Sequence, residues 1–215
     1  AGLGTEINLI NTSPTSTSLP VGWGTVFLDY DNDGDLDLFI ANGHTYPEAD
    51  MPRANSSYKQ LNSLFENKQD HFFSVGNKAG PGLEVREVSR GAAFGDYDND
   101  GDIDIFVVNL NAPPTLLRNE HKGNNSVSFR LIGVKSNRDG VGARITSFSQ
   151  GLKQEFEVQS GSSYLSHNDF RIHNGLGKAK NIDSVEVRWP SGINQVLYDI
   201  RADKNVEIVE KVEAN

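Results

Sequence analysis

The sequence predicts an all-β chain, a partial β-propeller of two blade repeats followed by a β-sandwich-like domain. Three observations predict it. An acidic segment is written twice, "DYDNDGDLDLF" from Asp29 and "DYDNDGDIDIF" from Asp96, each flanked by short aromatic and β-branched runs. From Ser126 onward the texture changes to short alternating runs separated by Gly, Asn or Pro. No stretch carries apolar residues at the period of an amphipathic helix.

The likeness of the two acidic segments extends around them. Upstream, "GWGTVFLDYDNDGD" parallels "RGAAFGDYDNDGD"; downstream, "NSLFEN" ending at Asn67 parallels "PTLLRN" ending at Asn119. A repeat of this size suits a propeller blade. The stretch from Asp29 to Asn67 is longer than its counterpart from Asp96 to Asn119. The extra length is "HTYPEADMPRANSSYK", whose Pro, Asn and Ser predict a long surface loop. The same alignment sets "AGL" at Ala1 against "AGPGL" at Ala79, so the chain is expected to start within a blade. One repeat cannot bury its apolar face alone; the remaining blades are expected from a longer parent chain or another subunit.

Within each copy the pattern predicts strands over residues 25–28 and 36–41, and over 92–94 and 103–108, joined by the acidic turn. In the tail, "VSFRLIGV", "GARITSF", "KQEFEVQSG", "DSVEVRWPSG", "NQVLYDI" and "NVEIVEKV" read as strands. Val185, Val187 and Trp189 alternate there with Glu186 and Arg188, which makes one face apolar and the other charged.

The acidic turns pose an electrostatic problem. Two bare carboxylates about 4 Å apart repel by roughly 4 kcal/mol at an effective dielectric near 20, so a turn with five aspartates needs a cation. Positions 1, 3, 5 and 9 are Asp29, Asp31, Asp33 and Asp37 in the first copy and Asp96, Asp98, Asp100 and Asp104 in the second. Gly34 or Gly101 at position 6 supplies the sharp bend, and Asp35 or Asp102 at position 7 is expected to offer its backbone carbonyl with its side chain in solvent. All-oxygen, carboxylate-rich ligation selects a hard cation, and flexible coordination favours Ca2+ over Mg2+. An EF-hand would need Glu at position 12, where Ile40 and Val107 stand. The sequence thus predicts two Ca2+ sites, in loops 29–37 and 96–104, with a structural role.

The bulk properties narrow the partners. With a formal charge of −9 and no cluster of Lys or Arg, nucleic acid and anionic lipid are set aside. No apolar run approaches the length a membrane-spanning helix needs, so no membrane insertion is expected. The absence of Cys rules out disulfides and thiolate metal sites.

The repeats resemble the FG-GAP/VCBS blades of integrin-like β-propellers, whose calcium loops read D-x-D-x-D-G-x-x-D. The tail, through "SNRDGVGARI" at Ser136, "SGSSYLSHNDFRIHNGLG" at Ser160 and "VEVRWPSG" at Val185, resembles the ASPIC/UnbV domain. Together they resemble bacterial relatives of cartilage acidic protein, and the likeness covers nearly the whole chain. It departs at Asn174, where relatives commonly carry Phe in "HFGLG". The resemblance implies a blade segment over residues 1–123, an ASPIC/UnbV-like β domain over 124–215, and an extracellular, cell-surface or periplasmic calcium-binding protein used in adhesion or assembly. Its expected partner is a protein or a glycan.

Competing readings rest on less. Asp139, Tyr164, Ser166, His167, Asp169, Arg171 and His173 form a polar group in the tail, yet no G-x-S-x-G, H-E-x-x-H or P-loop accompanies them, and no catalytic residue is assigned. Asn137 and Asp139 are read as turn residues, and Tyr164, Trp189 and Tyr198 as core. Sequons at Asn11, Asn55 and Asn124 are permissive only. The alternatives are an accessory subunit or domain of a larger extracellular enzyme or redox assembly, and a polysaccharide-binding module.

Overall fold

The computed structural model describes residues 9–10, 20–51, 56–69 and 71–212; the Ala1 alignment and the sequons at Asn11 and Asn55 lie outside them. The chain is all-β with open sheets, and among the described residues its helical segments are single 3-10 turns at Pro47–Asp50, Gly76–Ala79 and Pro81–Glu84. The first of these sits in the long loop of the first repeat.

The blade segment contains β1 (Leu9–Ile10), β2 (Gly22–Leu28), β3 (Asp37–Asn42), β4 (Gln60–Leu61), β5 (Ser63–Lys68), β6 (His71–Ser74), β7 (Arg86–Glu87), β8 (Ser89–Gly95), β9 (Asp104–Asn109) and β10 (Thr115–Leu117). Strands β2, β3, β5 and β6 form an antiparallel blade, with β1 parallel on its outer edge. Strands β8, β9 and β10 repeat its first three strands, and the short β4–β7 pair ties the two units together.

Period-two alternation decides how the blades meet. Val26, Phe39 and Leu64 are in register on one face of the first blade. They turn toward Ala92, Phe94, Ile105 and Val107 of the second, and Leu28, Phe39, Ala41 and Leu64 are buried with those four in one cluster. The Phe39 and Phe94 rings meet edge to face, 5.7 Å between centroids. Each fully buried side chain of this kind contributes roughly 2 kcal/mol. In the alignment of the repeats, Phe39 and Ala41 correspond to Phe106 and Val108, while Leu64 corresponds to Leu116. Those counterparts are 44, 50 and 46% exposed. The face by which the first blade grips the second is, on the second, open to solvent.

The tail contains β11 (Asn125–Ile132), β12 (Arg144–Ser149), β13 (Leu152–Glu157), β14 (Ile172–Gly177), β15 (Asn181–Arg188), β16 (Asn194–Arg201) and β17 (Lys204–Val209). One sheet runs β14-β11-β17, with β11 antiparallel to β14 and parallel to β17; the other runs β13-β12-β15-β16, all antiparallel. Val127, Phe129 and Leu131 of the first sheet and Ile145, Val185 and Val187 of the second fill a core separate from that of the blades. Strand β14 is not among the predicted strands, because His173, Asn174 and Gly175 interrupt its apolar pattern. Asn174 is fully buried, and its Oδ1 has no hydrogen-bond partner among the described residues.

Trp189 belongs to the core, at 1% exposure. The core assignment fails for Tyr198, 73% exposed, because its place in β16 turns it to the outer face of the sheet; Tyr164 is 40% exposed and packs edge-on against Trp23 of the first blade. Asn137 closes a tight turn, its Oδ1 accepting the Val141 N–H (3.0 Å), and Asp139 pairs with Arg130 at 2.6 Å.

The sandwich is fastened by one carboxylate. Glu210 Oε2 accepts the N–H groups of Val134, Lys135 and Ser136, each at 2.7 Å, while Oε1 accepts the hydroxyls of Ser136 (2.9 Å) and Ser191. Burial alone would raise this carboxyl, but the hydrogen bonds from Ser191, Ser136 and Val134 hold it down to about 2. A depressed acid stabilises the fold above its unfolded value of 4.5 and loses that contribution as pH falls toward 2. Glu210→Gln is expected to cost roughly 2 kcal/mol at neutral pH, since it replaces charge-assisted bonds and misplaces a donor. Denaturant unfolding should show the gap between wild type and variant closing between pH 4.5 and 2.

Candidate metal centres

Each acidic turn links an edge strand of its sheet to the next strand, β2 to β3 and β8 to β9, and the two follow the same path. Asn32 and Asn99 take left-handed φ values of 59° and 61°, while Gly34 and Gly101 follow at 98° and 96°. Asparagine and glycine are the residues that adopt this region at least cost, so the D-N-D-G order writes the bend.

The bend aims loop amides at the first aspartate. Asp29 accepts N–H groups from Asp33 (3.1 Å) and Gly34 (2.9 Å); Asp96 accepts those of Asp100 (3.1 Å) and Gly101 (3.2 Å). The last aspartate is held from two sides. Asp37 takes the N–H of Asn67 (2.8 Å) and Tyr30 (3.0 Å), and Asp104 takes those of Asn119 (2.8 Å) and Tyr97 (3.1 Å). Asn67 and Asn119 are not among the predicted site residues. Their signal is the shared final Asn of "NSLFEN" and "PTLLRN".

Two groups result, Asp29 with Asp31 and Asp37, and Asp96 with Asp98 and Asp104, in each of which one oxygen per residue lies within 4.8 Å of the others. Either could hold a metal ion. Asp33 and Asp100 are exposed and lie outside the groups; their Oδ1 atoms accept the N–H of Asp35 (3.0 Å) and Asp102 (3.1 Å). The solvent-facing placement expected for Asp102 is overturned. It is 8% exposed, and its Oδ1 accepts a 2.7 Å hydrogen bond from Asn32 of the other turn.

The donor set fits a hard divalent cation. All ligand atoms are carboxylate oxygens, and Asp98 Oδ1 is buried with no hydrogen-bond partner among the described residues. Burial raises Asp29 to about 8 against the N–H bond from Gly34, with repulsion from Asp33 and Asp31 adding to it. Asp37 rises to about 8 by burial, against the Asn67 and Tyr30 amides. Burial also raises Asp31, Asp96 and Asp104, and takes Asp102 to about 6 with help from Asp100.

The charged surroundings of the two sites differ. Arg118, one residue before Asn119, sets its Nε 2.8 Å from Asp98 Oδ2, whereas Glu66 stands before Asn67 in the first copy. The second site carries its own partial counter-charge. Of the tail residues that suggested a catalytic cluster, Asp169, Arg171 and His173 line one cavity together with Asp29 and Asp96. Asp139 pairs with Arg130, and His167 packs on Phe170 at 4.5 Å, while Asp169, Arg171 and His173 lie along the acidic turns.

Two aspartate turns thus lie side by side on blade-like sheets, with a sandwich docked against them. Residues 29–107 match the family model described as FG-GAP-like repeat, and residues 133–215 match that of ASPIC and UnbV. The chain is similar to cartilage acidic protein 1 of Homo sapiens, 25% identical over 170 residues, covering 76% of this chain and 24% of that protein. The Mus musculus protein of the same name is 25% identical over 183 residues, covering 82% and 26%. The chain thus spans about a quarter of the length of these relatives.

Arg118→Gln removes a cation that competes for the second site while leaving its carboxylates in place. Calcium affinity at the second turn is expected to rise about two- to fivefold, the worth of one exposed ion pair, with the first turn unchanged. Isothermal titration of wild type and variant checks this.

Proposed function

We propose that the two turns are structural Ca2+ sites and that the chain is a non-catalytic, extracellular module for adhesion or assembly with a protein or glycan partner. The observation that carries this reading is the recurrence, at corresponding positions of the two repeats, of a largely buried three-aspartate group, whose charge Arg118 offsets only in part at the second turn. Asp29, Asp31 and Asp37, and Asp96, Asp98 and Asp104, would form the core of each site. Asp33 and Asp100 would turn inward to join them, and the backbone carbonyls of Asp35 and Asp102 would complete a coordination shell of the size calcium takes. At calcium about a hundred times its dissociation constant, each site would add roughly 2.7 kcal/mol. That is a large share of a domain's typical net stability, which is on the order of 10 kcal/mol.

The similarity to cartilage acidic protein 1 supports an extracellular setting, and no helix among the described residues is long and apolar enough to cross a membrane. The open face of Phe106, Val108 and Leu116 supports a further blade as one partner, from a longer parent chain or another subunit, since its repeat counterpart already holds a blade. In this reading residues 1–123 form the calcium-clamped blades and 124–215 the domain they carry.

Titration of chelator-treated chain with calcium should reveal two sites and a melting temperature that rises with occupancy. Asp37→Asn should remove the first site alone and Asp104→Asn the second alone. Heats no larger than dilution, with an unchanged melting temperature, would exclude the proposal.

A further inference from the structure

The C-terminal sandwich touches both acidic turns with residues two apart, one just before β14 and one within it. Just before β14, Arg171 donates through Nη1 to Asn99 Oδ1 (2.6 Å) and through Nη2 to the Asp96 carbonyl, while its Nε pairs with Asp169 (2.5 Å). Two residues on, His173 Nε2 lies 2.5 Å from Asn32 Oδ1. Asn32 and Asn99 occupy the same position of the two repeats, so the R-I-H step reads one loop position twice. Burial, with the nearby charge of Arg171, lowers His173 to about 4. The ring is therefore neutral at pH 7, and Nε2 carries the proton it gives to Asn32. Nδ1 is left buried, with no hydrogen-bond partner among the described residues.

Asn32 is the point where the parts join. Its side chain donates to Asp102 Oδ1 (2.7 Å) and to the Gly101 carbonyl (3.2 Å) of the second turn, and its own carbonyl accepts the Gly177 N–H at 2.7 Å. The sandwich presses as closely on the first site. A Cβ built on Gly175 would lie 1.8 Å from Asp29 Oδ2, so only glycine allows that approach. These are polar contacts to loop backbone and amides, which hold only while each loop keeps its closed shape.

Resting on the calcium reading above, we propose that Arg171 and His173 are positioning residues of the two calcium sites, and that the sandwich is part of the calcium-binding unit. Arg171 fixes the backbone of the second loop at Asp96 and Asn99; His173, with Gly175 and Gly177, fixes the first at Asn32. A loop already held in its binding shape loses less order when the ion arrives, so the ion and the docked sandwich favour each other reciprocally.

The test is calcium titration of the full chain followed by hydrogen exchange, read separately in peptides covering residues 29–37, 96–104 and 168–178. In wild type all three are expected to gain protection together. Arg171→Ala should raise the calcium midpoint of the second loop by about fivefold or more, the lower end of couplings between sites, with a smaller effect on the first, whereas loss of its charge beside Asp96 would by itself lower that midpoint. Gly175→Ala should move the first loop instead, and His173→Gln, which keeps an N–H donor, should stay within twofold of wild type. Should Arg171→Ala fail to fold, Asn99→Gly removes the side-chain half of the contact from the exposed loop side while suiting the left-handed backbone, and should shift the second loop in the same direction. Loops that gain protection while 168–178 does not, or midpoints within twofold in every variant, would overturn the positioning role and leave the calcium reading standing. Loops that gain no protection in wild type would overturn both.

Discussion

Everything in the blade segment is arranged around carboxylates that are close together and shielded from water. Asp29, Asp37, Asp96 and Asp104 are each nearly buried, and each already accepts two backbone N–H bonds. Those bonds satisfy the oxygens as acceptors without cancelling the charge. Backbone amides lower a carboxyl's pKa, yet here burial outweighs them and the shifts run upward. A proton or a cation must therefore accompany the folded turn. Below the unfolded value of 3.8 protons serve, and the metal-free fold loses that support as pH rises toward about 8. At neutral pH a divalent ion is the more effective of the two, because one ion neutralises several carboxylates without removing their acceptor sites.

The same constraint explains why the repeat is kept so faithfully in its turn and so loosely elsewhere. The path Asp-x-Asp-Asn-Asp-Gly fixes two left-handed residues and two amide bonds to its first aspartate per turn, and both copies keep all of them. Around it the copies diverge where the surroundings differ. Glu66 becomes Arg118, and the long first-repeat loop has no counterpart in the second. Blade packing is directional, one face gripping the unlike face of the next, so it propagates head to tail and leaves one face unmatched until it closes on another blade.

The parts of this arrangement that are legible in the sequence are those written locally. Period-two runs mark the strands, and the spacing of aspartates and glycine marks the turns. Contacts between distant segments are not legible. Asp102 reads as a solvent-facing turn residue until Asn32, 70 positions away, is brought against it. Strand β14 is disguised because its side chains serve the turns: His173 and Gly175 break the apolar alternation in order to meet Asn32 and Asp29. Tyr198 misleads in the opposite direction, since an aromatic in a strand has the same propensity on either face and only the pairing register decides which one it takes.

The two hydrophobic cores do not merge. One lies between the blades and the other inside the sandwich, while hydrogen bonds to loop backbone and asparagine side chains run along the seam where the acidic turns meet β14. An apolar seam would tolerate small displacements, because dispersion varies gently with position. A hydrogen-bonded seam does not, since a few tenths of an ångström and a modest change of angle remove most of a bond's worth. The placement of the sandwich is therefore tied to the exact shape of the two turns, through Asn32 on one side and Asn99 on the other.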